Sequence, residues 1–432
     1  MVQPATISPH NTTRCVADRR SIITSPTEIA IIGAGPYGLS IAAHLRAQGA
    51  SFRIFGEPML NWRTHMPKGM HLKSEGFAST LFDPAGRFSM RNYCAEKAIP
   101  YADEGLPVSL ETFCSYGVAF QKQMVPSLDT RAVTALEQIH GGFRLTLSDG
   151  ERLEARQVIV ATGISYYEYL PEEIRGLPRS HCSHSADNQD LSAYRGREVL
   201  VLGRGASSTD IAALLLDHGA KVQLVSRDPV EFHLPPGDKP RSLWQRIRNP
   251  NLGLGPNWRS AIFTFFAGQF RFLPLSLRQG IISRHLGPAA VWFIREKLEN
   301  KVSMRAGFTI KAAEVRGDRV HVRFNHRDGS TLDVEVDHVI AGTGYHVDLK
   351  RLPYLGEALR EQIRLEGTAP ALSGHFESSV PGLYFVGLSS ALTFGPLTRF
   401  AVGAGFTARR ISAHLRRRSP RRSAEELLSV RP

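Results

Sequence analysis

Cysteine is scarce in this sequence, and its spacing excludes several kinds of site. The 432-residue chain has four cysteines, Cys15, Cys94, Cys114 and Cys182, and no two of them form a C-x-x-C pair. Free thiols in this number are typical of a reducing compartment, so we expect a cytoplasmic protein. The segment 181–184 (HCSH) has no further ligands at a suitable spacing, whereas zinc needs three or four. No metal site is predicted.

Long apolar runs are also missing. No stretch approaches the ~20 residues that cross a bilayer, so no membrane span is predicted. Residues 1–26 are polar and lack the apolar segment of a secretory signal, which predicts a disordered extension. Neither a G-x-S-x-G elbow nor a phosphate-loop lysine is present.

Acidic residues are outnumbered, with 40 Asp and Glu against 53 Lys and Arg, for a net charge of +13. Arginines cluster near the C-terminus, at residues 416–418, 421 and 422. No nucleic-acid-binding motif accompanies them. We interpret residues 416–432 as a solvated basic tail and predict no nucleic-acid partner.

Glycine, in contrast, is placed in two turns that each follow an apolar strand and open a helix. In the first turn, Gly33, Gly35 and Gly38 have the G-x-G-x-x-G spacing and follow the apolar run 29–32. Gly33 permits a tight strand exit, Gly35 lets the backbone approach a pyrophosphate, and Gly38 lets the helix pack closely. Glu57, at the end of the next strand, is placed to bind a ribose hydroxyl. The pattern predicts a dinucleotide site at a helix N-terminus.

The second turn, GRGASS, differs in two ways. Gly203 and Gly205 keep the first two positions, while Ser208 occupies the third. Arg227, instead of an acid, ends the following strand, which favours a 2′-phosphate and hence NADPH. The alternative is a surface arginine without a ligand. Two such turns about one domain apart predict two dinucleotides and transfer of a hydride between them.

Four further segments are candidates for cofactor contacts. Thr162-Gly163 and Thr343-Gly344 end two apolar strands of nearly identical sequence. Trp62, Met66, Met70 and Lys73 lie on an irregular segment where an aromatic ring and a thioether could line a flavin, or could pack as ordinary loop residues. The segment 394–397 (FGPL) precedes a predicted helix whose N–H groups could stabilise a reduced flavin, or it is a plain Pro-initiated helix.

These motifs together resemble a known family. The order GAGPYG (33–38), VIVATG (158–163), GRGASS (203–208), AGTGY (341–345), GLYFVG (382–387) and FGP (394–396) resembles the flavin-dependent monooxygenases with two dinucleotide-binding domains. These include lysine and ornithine N-hydroxylases, flavin-containing monooxygenases and Baeyer–Villiger enzymes.

The resemblance implies a mechanism and its cofactors. NADPH, or NADH as the alternative, would reduce FAD, and O2 would then give a C4a-(hydro)peroxyflavin. NADP+ would remain bound, and a small organic substrate would take one oxygen atom. The residues assigned to cofactor binding are Gly33, Gly35, Pro36, Tyr37, Gly38, Glu57, Trp62, Met70, Thr162, Gly163, Gly203, Gly205, Ser207, Ser208, Arg227, Thr343, Gly344, Gly387, Phe394, Gly395, Pro396 and Leu397. No catalytic residue is identified.

Three departures from the family patterns leave the substrate open. Leu388 stands where many flavoproteins have an aspartate toward the ribityl chain. The surroundings of Gly176 and His181 do not complete the Baeyer–Villiger fingerprint, and residues 66–74 differ from the siderophore N-hydroxylases. Amine N-hydroxylation, a related hydroxylation and hydroxylation of a purine such as urate all remain possible.

The predicted fold class is α/β, with two nested Rossmann-like domains and a helical insertion. The predicted bounds are a disordered extension over 1–26, an FAD-binding domain in two parts (27–194 and 337–415), an NAD(P)H-binding domain over 195–336 with an insert at 229–300, and the tail 416–432.

Two other functions are compatible with the sequence. The same turns serve an FAD-dependent NAD(P)H reductase that passes electrons to a quinone or a protein, although a flavin-coupled disulfide reductase would need a close cysteine pair. A non-catalytic binding protein would instead use the basic, aromatic insert. The insert's aromatics could pack in a helical core, line a substrate tunnel or contact a membrane surface. They are Trp244, Trp258, Phe263, Phe265, Phe266, Phe270 and Phe272.

Overall fold

A computed structural model describes residues 23–232, 242–284 and 290–418. The strands are β1 (Ile23–Ile32), β2 (Phe52–Phe55), β3 (Val133–Ile139), β4 (Gly142–Leu147), β5 (Arg152–Val160), β6 (Cys182–His184), β7 (Glu198–Leu202), β8 (Lys221–Ser226), β9 (Ser303–Ala306), β10 (Phe308–Arg316), β11 (Arg319–His326), β12 (Thr331–Val336), β13 (His338–Ala341), β14 (Leu365–Glu366), β15 (Ala369–Pro370) and β16 (Leu383–Phe385).

The helices are α1 (Pro36–Ala47), α2 (Leu60–Thr64), α3 (Met90–Glu96), α4 (Leu110–Met124), α5 (Glu172–Arg175), α6 (Ala206–Asp217), α7 (Leu243–Arg248), α8 (Trp258–Phe265), α9 (Leu275–Arg284), α10 (Trp292–Leu298), α11 (Glu357–Gln362), α12 (Ala391–Phe394) and α13 (Gly403–Arg418). Within the described residues, none of them has the length and apolar character needed to cross a bilayer.

The first sheet has the order β2-β1-β5-β4-β3, and β16 also pairs with β5. The pairs β1–β2, β1–β5 and β5–β16 are parallel, whereas β3, β4 and β5 form an antiparallel meander. Alternate residues of β1 enter two different cores, since Ile29 and Ile31 belong to one apolar cluster while Ala30 and Ile32 belong to another. Residues 29–32 of the strand are therefore all apolar, because both sheet faces are covered there.

The second sheet repeats this arrangement with the all-parallel order β6-β13-β7-β8-β9. Val199 and Val201 face one cluster, while Leu200 and Leu202 face another. A second antiparallel meander is formed by β10, β11 and β12. In each sheet the glycine turn leaves the carboxyl end of a parallel strand, β1 or β7, which is where open α/β sheets bind ligands.

Three sequence-based expectations need correction. Strand β1 begins at Ile23, so only residues 1–22 of the predicted extension lie outside the described residues. Strands β6 and β13 were assigned to the FAD-binding domain, but both pair in the second sheet, because backbone pairing to β7 links segments distant in sequence. Finally, the predicted helix over 397–415 is interrupted: Phe400 is extended, and α13 starts at Gly403. The remaining domain bounds stay predictions, as does the tail beyond residue 418, which lies outside the described residues.

Candidate functional site: two glycine turns at two parallel sheets

Two glycines of the first turn are required by internal packing. Gly33 has φ of +110°, and its N–H donates to the Phe55 carbonyl at 2.8 Å. A methyl group there would lie 2.5 Å from the carbonyl oxygen of Ala161. A methyl group on Gly38 would overlap the Gly33 carbonyl oxygen. Both positions therefore exclude a side chain, as the motif predicts.

Gly35 is different, because nothing inside the protein requires a glycine there. It has φ −84° and ψ −171°, backbone that any residue adopts, and a methyl group at this position would meet no atom within 4 Å. Helix α1 starts directly afterwards, with no acidic residue in its first turn. An open space beside a helix N-terminus fits an anionic pyrophosphate. The residues present thus fit the predicted dinucleotide.

The second turn repeats this geometry. Gly203 has φ of +121°, and its N–H donates to the Val225 carbonyl at 3.0 Å. Gly205 has φ −81° and ψ 177°, again with no atom within 4 Å of an added methyl group. Ser207 lies in the first turn of α6, which also lacks an acid.

Ser208 is accommodated by a compensating glycine on the neighbouring segment. Its buried hydroxyl donates to the Gly342 carbonyl at 3.1 Å, and a methyl group on Gly342 would overlap the Ser208 side chain. In the first domain the equivalent positions are Gly38 and Ala161. In the first domain the small side chain is on the strand-exit segment, at Ala161, whereas in the second it is on the helix, at Ser208.

This exchange predicts coupling between the two positions. Gly342→Ala should destabilise the protein by about 1–3 kcal/mol, because the added methyl group overpacks against Ser208. Adding Ser208→Gly should recover part of that loss, since the Ser208 Cα would still lie 3.0 Å from the new methyl group. Thermal unfolding of both single variants and the double variant measures the coupling, and strictly additive losses would contradict it.

The residues that end the following strands are both accessible. Glu57 is about half exposed and lies 3.8 Å from Arg63. Arg227 is exposed, and its carbonyl accepts a hydrogen bond from Arg327 at 2.7 Å. Arg204, within the glycine turn, lies 3.7 Å from Asp228. Three arginines therefore surround the end of β8, where a 2′-phosphate is predicted.

A buried ion pair joins the irregular segment between β2 and α3 to helix α6 of the second glycine turn. Lys73 Nζ lies 2.7 Å from Asp210 Oδ2, and the two side chains are only 7% and 4% exposed. Asp210 follows the second glycine turn in α6. Asp210 lies in the second turn of α6 and faces inward, so it does not act as a charge at the helix start.

Burial dominates the electrostatics of this pair. It raises the pKa of Asp210 to about 6, and the Lys73 ammonium opposes that rise. Among the described residues, Asp210 Oδ1 is buried and accepts no hydrogen bond. Lys73 Nζ also donates to the His71 carbonyl at 2.7 Å and lies 5.4 Å from the centre of the Phe293 ring. The lysine is thus held between the two halves of the protein.

The irregular segment between β2 and α3 contains Trp62 and Met70. Trp62 meets Phe113 of α4 edge-on, with ring centres 4.7 Å apart, and packs against the core. The Met70 carbonyl accepts from Leu110 N–H at 3.0 Å, and Met70 is half-buried. These contacts favour ordinary packing for Trp62, while a flavin contact by either residue remains a prediction.

The two strand-exit segments, at residues 162–163 and 343–344, are held by contacts with residues distant in sequence. The Thr162 hydroxyl lies 3.1 Å from the Tyr354 hydroxyl, and the Thr343 hydroxyl donates to the Tyr169 carbonyl. Gly163 and Gly344 have φ of +69° and +83°, values that favour glycine, and both are open to an added methyl group.

His184 has a structural role that the sequence did not indicate. Its Nε2 donates to the Gly344 carbonyl at 3.1 Å, and its Nδ1 accepts from Ala186 N–H at 3.2 Å. Burial lowers the pKa of His184 to about 4, so the ring is neutral at physiological pH. The histidine therefore anchors the second strand exit.

Tyr37 ties the first turn to the C-terminal segment. Its hydroxyl donates to the Phe400 carbonyl at 2.8 Å, and burial raises its pKa, so it stays a donor. A methyl group on Gly387 would lie 3.8 Å from the Tyr37 ring. Leu388, at the position of the missing aspartate, is buried.

The segment 394–397 differs from the prediction. Phe394 ends α12 and stacks on Phe376 at 4.0 Å, while Pro396 and Leu397 lie in a short 3-10 turn. Gly395 has φ of +79° and packs against the Phe270 ring of the insert. The expected long helix at this point is wrong, so a helix dipole cannot be assigned to it.

Comparisons with known proteins agree with this architecture. A family model described as pyridine nucleotide-disulphide oxidoreductase matches residues 30–235, a segment that includes both glycine turns. The indole-3-pyruvate monooxygenase YUCCA1 of Oryza sativa subsp. japonica is 28% identical over 211 residues, which cover 46% of this chain and 48% of the rice protein. The chain thus spans about half the length of this relative.

Two longer matches cover most of the chain. A ferredoxin–NADP reductase of Thermus thermophilus is 24% identical over 396 residues, covering 88% of this chain and 90% of its own. The solved structure of an ornithine N-hydroxylase from Kutzneria sp. 744 has a TM-score of 0.71 and 17% identity, and covers 91% of this chain and 100% of its own.

The fold matches that of the solved ornithine N-hydroxylase, with a glycine turn in each of two sheets, which confirms the α/β fold class predicted from the sequence. The predicted enzyme class, a flavoprotein oxidoreductase, agrees with each of these matches.

Proposed function

We propose that the protein is an FAD-dependent NAD(P)H monooxygenase of a small organic molecule, with amine N-hydroxylation as the leading reaction. The observation that carries this proposal is the pair of open positions at Gly35 and Gly205, each beyond the carboxyl end of a parallel strand, one in each sheet. The solved relative that shares this fold over 91% of the chain is an ornithine N-hydroxylase in complex with reduced FAD, NADP+ and L-ornithine.

In this proposal the first turn holds FAD and the second holds NADPH. The N–H groups at the start of α1 bind the FAD pyrophosphate, and Glu57 binds its ribose. The start of α6 binds the NADPH pyrophosphate, and Arg227 binds the 2′-phosphate. The bound flavin supplies the redox chemistry, while the protein orients the donor and excludes water.

Catalysis with isotopic labelling tests the proposal. The purified protein should be yellow and should oxidise NADPH faster when its substrate is present. A panel of amines, ketones, sulfides and purines, including urate, would identify the substrate, and 18O2 should label the product with one atom. Oxidation of NADPH that yields only hydrogen peroxide with every compound would count against monooxygenation.

A reductase is the second candidate, because the reductase of Thermus thermophilus matches nearly the full length of the chain. Stopped-flow absorbance separates the two functions after reduced protein is mixed with O2. A monooxygenase should delay the return of the oxidised flavin spectrum when NADP+ is present. In a reductase the oxidised flavin spectrum should return at once, and the reduced protein should instead pass electrons to a quinone or ferredoxin.

The arginine cluster predicts the preference for coenzyme. Arg227→Ala should lower kcat/KM for NADPH roughly 10- to 100-fold, because a charge-assisted hydrogen bond to phosphate is lost. The value for NADH should change little. Arg316→Ala, an exposed arginine on the β10–β11 meander, is the matched control. Equal losses with both coenzymes would contradict a contact to the 2′-phosphate.

A further inference from the structure

Helix α8 presents its apolar side to solvent. Trp258, Ile262, Phe265 and Phe266, the last at its C-terminal boundary, are 54%, 50%, 66% and 56% exposed. Their spacing of i, i+4, i+7 and i+8 puts them on one side of a helix. Ser260, on the opposite side, and Ala261, on the flank beside Phe265, are buried. We call these four exposed residues the aromatic face.

The aromatic face belongs to a firmly built part of the fold. Asn257 caps α8 by accepting from Ser260 N–H at 2.7 Å. The guanidinium of Arg278 in α9 binds both carboxylate oxygens of Glu366, at 2.8 and 3.0 Å, and is buried. Phe270 is buried against Gly395. The exposure is therefore a property of a fixed helix and not of a frayed end.

Exposed apolar side chains continue on both sides of α8 in sequence. Trp244 of α7 is 81% exposed, and Phe272 is 72% exposed. Exposed aromatic groups in this number mark an interaction surface, because single exposed apolar residues are the norm for a soluble monomer.

The charge of the insert selects the partner. Residues 239–295 contain eight arginines and one lysine but no Asp or Glu. Arg248, Arg259 and Arg284 are exposed. A symmetric contact with a second copy would place this positive surface against itself, whereas an anionic bilayer attracts it by about 1 kcal/mol for each basic residue near the surface. Trp and Phe beside arginine are also typical of helices that lie in the membrane interface.

We propose that the aromatic face and its neighbouring arginines dock the protein on the surface of a membrane that contains anionic phospholipid. Helix α8 lies in the plane of the interface, its aromatic side chains enter the boundary between headgroups and acyl chains, and Arg248 and Arg259 contact lipid phosphates. Docking needs no flavin, so it stands independently of the proposed reaction.

Vesicle flotation with the full-length protein tests this proposal. Vesicles of phosphatidylcholine with phosphatidylglycerol should bind the wild-type protein, whereas pure phosphatidylcholine vesicles should not. High salt should release it. Arg248→Gln with Arg259→Gln should lower the apparent affinity roughly 30-fold, and Trp258→Ser with Phe265→Ser should abolish binding. Circular dichroism and thermal unfolding should be unchanged in both variants, because the substituted side chains are exposed.

Matched controls lie on other surfaces of the protein. Leu106→Ser with Leu365→Ser removes two exposed apolar side chains outside the insert, and Arg87→Gln with Arg152→Gln removes two exposed charges. Both should bind vesicles as the wild type does. Failure of the wild type to bind anionic vesicles would overturn the proposal. An oligomer detected by light scattering would also overturn the proposal if Trp258→Ser with Phe265→Ser dissociated it. The aromatic face would then join copies of the chain.

Discussion

Replacing Gly35 with Asp is expected to remove FAD from the protein while leaving the fold intact. The backbone at Gly35 suits any residue, and the side chain would enter open space, so the change introduces no internal clash. It would place a carboxylate where the pyrophosphate is proposed to bind. Two like charges ~4 Å apart near a protein surface repel by about 4 kcal/mol, which corresponds to a loss of affinity on the order of 1,000-fold. Flavin absorbance and FAD titration of the stripped protein measure it.

Gly205→Asp is the matched control, because the second turn has the same open geometry. This variant should keep its flavin and its yellow colour but should no longer be reduced by NADPH. Dithionite should still reduce it, since that reaction needs no coenzyme site. Loss of FAD from Gly205→Asp, or retention of FAD by Gly35→Asp, would contradict the assignment of FAD to the first turn and NADPH to the second.

Asp210→Ala is expected to cost about 3–5 kcal/mol in the free energy of unfolding. The substitution leaves the Lys73 ammonium buried without its partner, and removal of one member of a buried ion pair carries a penalty of this size. Denaturant unfolding monitored by circular dichroism measures the loss, with flavin content followed in the same samples.

The double variant Lys73→Met with Asp210→Leu separates the charge effect from a packing effect. Removing both charges together avoids the unpaired ammonium, so it should be several kcal/mol more stable than Asp210→Ala. Lys297→Met is the control for a surface ion pair, since its partner Asp217 is exposed, and it should cost at most about 1 kcal/mol. If Asp210→Ala lowered the free energy of unfolding by no more than this control does, the buried pair would not contribute to stability as proposed.

The two glycine turns could be located from the sequence because their signals are local. Strand, turn and helix follow one another within about 20 residues, and Gly33 and Gly203 each end an apolar run. The packing role of Ser208 could also be inferred from the sequence, because the corresponding segments pair Gly38 with Ala161 and Ser208 with Gly342. In each pair one residue is glycine and the other has a small side chain, which is the volume that fits where the helix packs against the neighbouring segment. A search for three glycines at the motif positions misses the second turn, because Ser208 replaces its third glycine.

Features that depend on distant contacts could not be predicted in the same way. Lys73 and Asp210 are 137 positions apart, so no spacing rule connects them. Strands β6 and β13 join the second sheet through pairing, which local sequence does not encode. The break at Phe400 has a similar cause. The Tyr37 hydroxyl donates to the Phe400 carbonyl from the first turn, and Gly403 lies against the same hydroxyl, so tertiary contacts override a helical pattern.

The position of the Lys73–Asp210 pair constrains how the protein moves. Neighbouring residues of the same loop also reach the second half, where Lys68 N–H donates to the Gln189 carbonyl at 2.9 Å and Gly69 packs on Leu214. Pulling the halves apart would strip a buried charge of its counter-charge, whereas a rotation about this seam would not. The contacts at this loop therefore resist separation of the two dinucleotide-binding parts of the protein more than they resist a rotation about the loop.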